Sequence, residues 1–199
     1  DPRPHRLLGS MYKDFQEYAS AVENYQEALR RTGRPLPDRE TMLLELAECQ
    51  LQLQQPEAAM ETLAAVPPGP DRFALEAEAL RQEGQLDEAE RLADQALRQR
   101  PALLAALLLK GDVCLARGDA RTAAEILTRA QIAYPKNHHV VAKLMQAFRR
   151  LGDEARVREL AGQAEHLKKL WTEFSELHAQ AADQPDNADV RCRLGMLAR

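Results

Sequence analysis

Apolar residues recur along this chain at intervals of three and four. The clearest run is Leu167, Leu170, Trp171, Phe174, Leu177 and Ala181, near the C-terminal end. That spacing lays them along one face of an α-helix. From Asp153 to Asp183 only Gly162 interrupts the pattern, so the segment predicts either one extended helix or an additional one. Its stripe reads first as core packing, with a partner-binding or dimerising face as the alternative. Elsewhere the apolar stretches are shorter and are punctuated by glycine and proline.

The punctuation is periodic. Gly84, Gly118 and Gly152 lie 34 residues apart, as do Ala89, Ala123 and Val157, and then Ala96, Ala130 and Ala164. Pro101 and Pro135 keep the same interval, although Lys169 takes the next place. Several columns sharing one period identify a repeat architecture. Glycine adopts the left-handed conformation that ends a helix. The alanines, seven apart and so about two turns along the following helix, let two backbones approach closely. Proline cannot continue a helix and closes the unit. Each period therefore predicts a helix, a turn, a second helix and a stop.

Composition narrows the class further. Aromatic residues make up only 5% of the 199 residues, while Ala, Leu, Glu, Gln and Arg dominate, so helix formers outnumber strand formers. The formal charge of −4 is spread along the chain without a like-charged block, which argues against a nucleic-acid surface. The longest apolar run, Ala102 to Leu109, is far short of the roughly 20 residues a membrane span needs. Cys49, Cys114 and Cys192 are odd in number and widely spaced, against a disulfide framework. The first two fall at apolar helix positions and read as small hydrophobes; unpaired thiols fit the cytoplasm.

No catalytic constellation stands out. There is no phosphate-cradling glycine motif. His138 and His139 are adjacent rather than four apart, unlike the pair of a helical zinc site, and His166 and His178 have no cysteine or acidic partner in register. The acidic clusters Asp87-Glu88 and Asp153-Glu154 open second helices, where the helix dipole favours them. The reading is of a protein that is not an enzyme and holds no metal or cofactor.

Within one period the residues resemble the tetratricopeptide repeat family. Leu8-Gly9, Tyr12, Ala21, Tyr25 and Ala28 reproduce its leucine-glycine-tyrosine and alanine-aromatic spacing. Leu107, Gly111, Cys114, Gly118, Ala123, Leu127, Ala130 and Pro135 repeat it, as do Phe73, Ala77, Leu80, Gly84, Ala89, Ala96 and Pro101. Val141, Phe148, Gly152, Val157 and Ala164 are in phase. A second unit, with Met42, Leu46, Cys49 and Ala58, lacks a turn glycine and breaks at the Pro-rich stretch 66–70. The Ala-, Leu- and Arg-rich style resembles bacterial members.

The resemblance implies an all-α fold, a right-handed superhelical solenoid of antiparallel helix pairs. One repeat domain over 1–199 would hold about five units (approximately 2–35, 39–69, 70–103, 104–137 and 138–169), an extra or extended helix 170–184 and a truncated unit 187–199. The start at Asp1 and the end at Arg199 inside a predicted helix suggest a piece of a longer protein.

In the family the first helices line the binding surface. Taken at spacings of three and four, they are expected to present Arg6, Ser10 and Lys13, then Leu43, then Glu78 and Arg81, then Leu108 and Asp112, and finally Gln146 and Arg149. Patches of apolar surface with polar anchors suit a peptide or an amphipathic helix. The basic and asparagine clamp of chaperone-binding members is absent, since Ser10 takes the asparagine position. The implied function is a protein–protein interaction scaffold whose partner is a protein or peptide segment, without nucleic acid or membrane. The alternatives are a self-assembling module, a homodimer through Trp171 and Phe174, and a regulatory or substrate-presenting arm of a larger enzyme.

Overall fold

The computed structural model describes residues 2–31, 38–183 and 187–197. All regular structure among them is helical, in eleven helices: α1 (Arg3–Asp14), α2 (Tyr18–Arg30), α3 (Arg39–Gln52), α4 (Pro56–Leu63), α5 (Pro70–Gln82), α6 (Leu86–Gln99), α7 (Leu104–Ala116), α8 (Ala120–Ala133), α9 (His138–Leu151), α10 (Glu154–Asp183) and α11 (Ala188–Leu197). They fall into two compact units, residues 1–119 and 120–199. The ends expected at residues 35, 184 and 199 lie outside the described residues.

In the first unit each helix packs on the next, and the odd-numbered helices also touch one another in sequence, α1 on α3, α3 on α5 and α5 on α7. A single pair cannot cover its apolar face, so the core forms between successive pairs. Tyr25 and Ala28 of α2 pack with Met42, Leu46 and Cys49 of α3. Leu43 and Ala47 of α3 pack with Ala59 and Leu63 of α4 and Ala79 of α5. Ala89, Ala93 and Ala96 give α6 a small-residue face, wholly buried against Phe73 and Ala77 of α5 and Val113 of α7. Cys49 and Cys114 are buried as expected, and burial raises the Cys49 thiol to about 11, so it stays neutral. Cys192 is exposed.

The turn between the helices of a pair carries one residue in the left-handed region. It is Gly84, Gly118 and Gly152, with φ of 79°, 82° and 73°, where the period places a glycine. Two glutamines do the same, Gln16 at 61° and Gln54 at 58°. From Gln16 to Gln54 is 38 residues and from Gln54 to Gly84 is 30, so together they span two periods of 34. The turn of the second pair thus falls four residues late, and its short second helix α4, with 8 residues against 13 in α2 and 14 in α6, restores the phase by Gly84. A side chain in this conformation crowds the following carbonyl by roughly 1–2 kcal/mol, which glycine avoids. Gln54→Gly is therefore expected to raise the thermal midpoint by about 2 °C after glycine's extra unfolded-state freedom is subtracted. Gln55→Gly, where φ is −116°, should lower it; calorimetry on the two variants checks the pair.

In the second unit α8 packs on α9, α9 on α10 and α10 on α11. Asn137 caps α9 by accepting the Val140 N–H at 3.1 Å, and Gly152 closes the helix. The segment after Gly152 is one unbroken helix of 30 residues, about 45 Å long at 1.5 Å per residue. Core packing describes only part of its stripe. Leu177 is buried and Leu167, Leu170 and Phe174 are half-buried, but Trp171 is 71% exposed. No helix is long and apolar enough to cross a membrane among the described residues.

Candidate binding face

The contacts α1–α3–α5–α7 align the first helices of the first unit side by side. On α1, Arg6, Ser10 and Lys13 follow one another at intervals of four and three, and all three are tied to neighbouring residues. Arg6 forms an ion pair with Asp38, which precedes α3. Lys13 donates to Glu48 at 2.9 Å and lies 3.8 Å from Glu45. Burial favours its neutral amine, but the hydrogen bond to Glu48 and the two carboxylates outweigh that, so its pKa is raised. The Tyr25 hydroxyl donates to Glu45 at 2.9 Å and also hydrogen-bonds Ser10. Burial, then Glu45, push its ionisation far above the usual tyrosine value. The basic end read from α1 is thus a network neutralised by the carboxylates of α3.

Leu43 is a correction. It is 5% exposed and sits in the core with Ala47, Leu63 and Ala79, so it offers no contact surface. The reason is the displaced turn. With Gln54 in the left-handed place, Ala59 rather than Ala58 fills the seam and is fully buried. The outward side of α3 is Thr41, Leu44 and Glu48, of which Leu44 is half-buried and the others exposed. Asp38, Glu45 and Glu48 were also missed. Their signal was available in the sequence, because Lys13 and Glu48 lie 35 residues apart, close to one period.

On α5, Arg81 clasps Glu78 through two contacts, 2.8 Å from Nε and 2.5 Å from Nη2. The hydrogen bond to Glu78, and then the field of Asp112 on α7, raise the pKa of Arg81. The Glu78–Arg81 clasp lies on α5, which packs directly on α7, the helix that carries Asp112. Leu108, half-buried, stands one turn before Asp112 on the same face of α7. Gln82 spans α5 to α3 by donating to the Leu51 carbonyl at 3.0 Å. Gln146 and Arg149 form a separate exposed pair on α9 of the second unit.

Chemistry of other kinds has few resources here. The His138 and His139 rings lie with centroids 3.9 Å apart and planes tilted by 38°. Burial, then His138 and Lys143, lower the pKa of His139. No group of three or more His, Cys, Asp or Glu side chains is placed to hold a metal ion among the described residues. What the first-helix face offers is half-buried leucines bordered by exchangeable ion pairs.

Known proteins agree with this architecture. Two tetratricopeptide repeat family models match the sequence, one over residues 14–72 and the other over 75–138. A search of curated protein sequences finds no match. TTC0263, a thermophilic tetratricopeptide repeat protein of Thermus thermophilus, has a similar structure, with a TM-score of 0.68 at 18% identity over 100% of this chain and 99% of that one. Cut9–Hcn1, a hetero-tetramer of the APC/C, gives 0.73 at 13% identity over 100% of this chain and 43% of that one. YrrB, a tetratricopeptide repeat protein with an unusual peptide-binding site, gives 0.52 at 13% identity over 97% and 91%. At such identities the structural likeness speaks for the fold alone. The family models cover more than half the chain, and their matches include the left-handed turns at Gln16, Gln54, Gly84 and Gly118. This chain belongs to the tetratricopeptide repeat family.

Proposed function

We propose that the protein is an interaction scaffold whose first unit receives a peptide or protein segment across the face of α1, α3, α5 and α7. The observation that carries this reading is the Arg81–Glu78 clasp on α5, on a helix that packs directly against α7 with its half-buried Leu108. Leu44 and Leu108 supply apolar contact, and the ion pairs around them supply selectivity. Exposed pairs such as Lys13–Glu48 contribute only about 0–1 kcal/mol, so a ligand carboxylate or ammonium can replace one member at little cost. The ligand that fits alternates apolar and charged side chains. YrrB, described as having a peptide-binding site, lends support by likeness of fold.

The test is selection from a displayed peptide library on the intact chain, followed by titration against the Arg81→Glu, Leu108→Glu double variant. A selected peptide is expected to lose at least tenfold in affinity on a variant whose circular dichroism is unchanged. Equal affinity for both proteins would remove this face from consideration.

A further inference from the structure

The long helix of the second unit carries a different surface. Beside the middle of α10, against the residues that lead into α9, lies a groove of about 690 Å³. Its floor is Leu167, Leu170, Trp171 and Phe174, which follow one helix face over two turns. Its rim is Lys136, His138 and Lys168, and no carboxylate lines it among the described residues. The Trp171 and Phe174 rings stack with centroids 6.0 Å apart and planes 24° apart, and Phe174 meets His178 at 6.2 Å. The two rings thus form one aromatic surface on α10.

We propose that this groove docks an amphipathic helix of a partner protein that carries acidic residues beside its apolar stripe. The shape argues for a helix. Ala164 to Phe174 spans about 15 Å, so a three-turn helix laid along it meets the floor at positions three and four apart. The charge argues for acid. Lys169, just outside the groove, already pairs with Glu165, whereas no carboxylate pairs with Lys136 or Lys168 among the described residues. A second copy docked face to face would set one basic rim against its like, which disfavours that occupant. This surface lies on other helices than the first-unit face, and the two proposals stand or fall separately.

Trp171 is the only tryptophan of the chain, so its fluorescence reports this groove alone. Two synthetic three-turn helical peptides would be titrated into the whole protein, identical in their leucine stripe and flanked by glutamates in one and lysines in the other. The proposal expects a saturable blue shift with the glutamate peptide, at least tenfold weaker binding of the lysine peptide, and a reversed preference in the Lys136→Glu, Lys168→Glu variant. Phe174→Ala should abolish saturation without changing the helical circular dichroism. Equal affinity for both peptides, a preference for lysine, or no saturable shift overturns it. So does a dimer in sedimentation that disperses on Trp171→Ala, because a second copy is then the occupant.

Discussion

Replacing Tyr25 with alanine is expected to destabilise the first unit by about 3–5 kcal/mol, the range for deleting a fully buried aromatic ring. The side chain is wholly inaccessible and is shared by two helix pairs, touching Met42, Leu46 and Cys49 from α2. Because successive pairs hold one another, the cavity loosens both. Tyr25→Phe keeps the ring and loses the hydroxyl's hydrogen bonds to Glu45 and Ser10. That carboxylate stays partly solvated, so the cost should be about 1 kcal/mol. Urea unfolding followed by circular dichroism separates the two. An alanine variant as stable as the phenylalanine one would show that the ring is not what joins α2 to α3.

The second large effect is a change of sign. Gly9→Ala puts a methyl 2.9 Å from Cδ1 and Cε1 of the Tyr25 ring, closer than real side chains come. The ring is fully enclosed and cannot swing away. The overpacking penalty of roughly 1–3 kcal/mol is expected to exceed the roughly 1 kcal/mol that alanine gains over glycine inside a helix. At Gly162, in the middle of α10, an added methyl meets nothing within 4 Å. There the same substitution should stabilise by about 0.5–1 kcal/mol. Tyr25→Leu combined with Gly9→Ala should recover part of the loss, since the smaller side chain leaves room for the methyl. Thermal melts of the four proteins decide this, and equal shifts at both glycines would contradict the close approach of α1 to α2.

Periodicity revealed the repeat because glycine, alanine and proline each answer a constraint of the backbone itself. The second pair escaped in detail for the same reason. Its turn uses Gln54, which sequence reading does not flag as left-handed, so the seam was read at Ala58, one residue before the buried Ala59 that stands five residues after the turn. One residue of slip carried Leu43 from the predicted face into the core. On α1 the outward positions were legible but their pairing was not, since Asp38, Glu45 and Glu48 come from the misread pair. The stripe around Trp171 shows the limit of amphipathicity as a signal. It reports which side of a helix is apolar, not whether a neighbour reaches that side, and at Trp171 most of the surface stays open.

The central claim is that ligand enters on the first helices of the first unit. Amide hydrogen exchange, recorded for the whole chain with and without a library-selected peptide, tests it most directly. The account predicts added protection in α3, α5 and α7, centred on residues 41–48, 78–82 and 108–112, with α2, α4 and α6 unchanged. Protection confined to α10, or to those second helices, would contradict it.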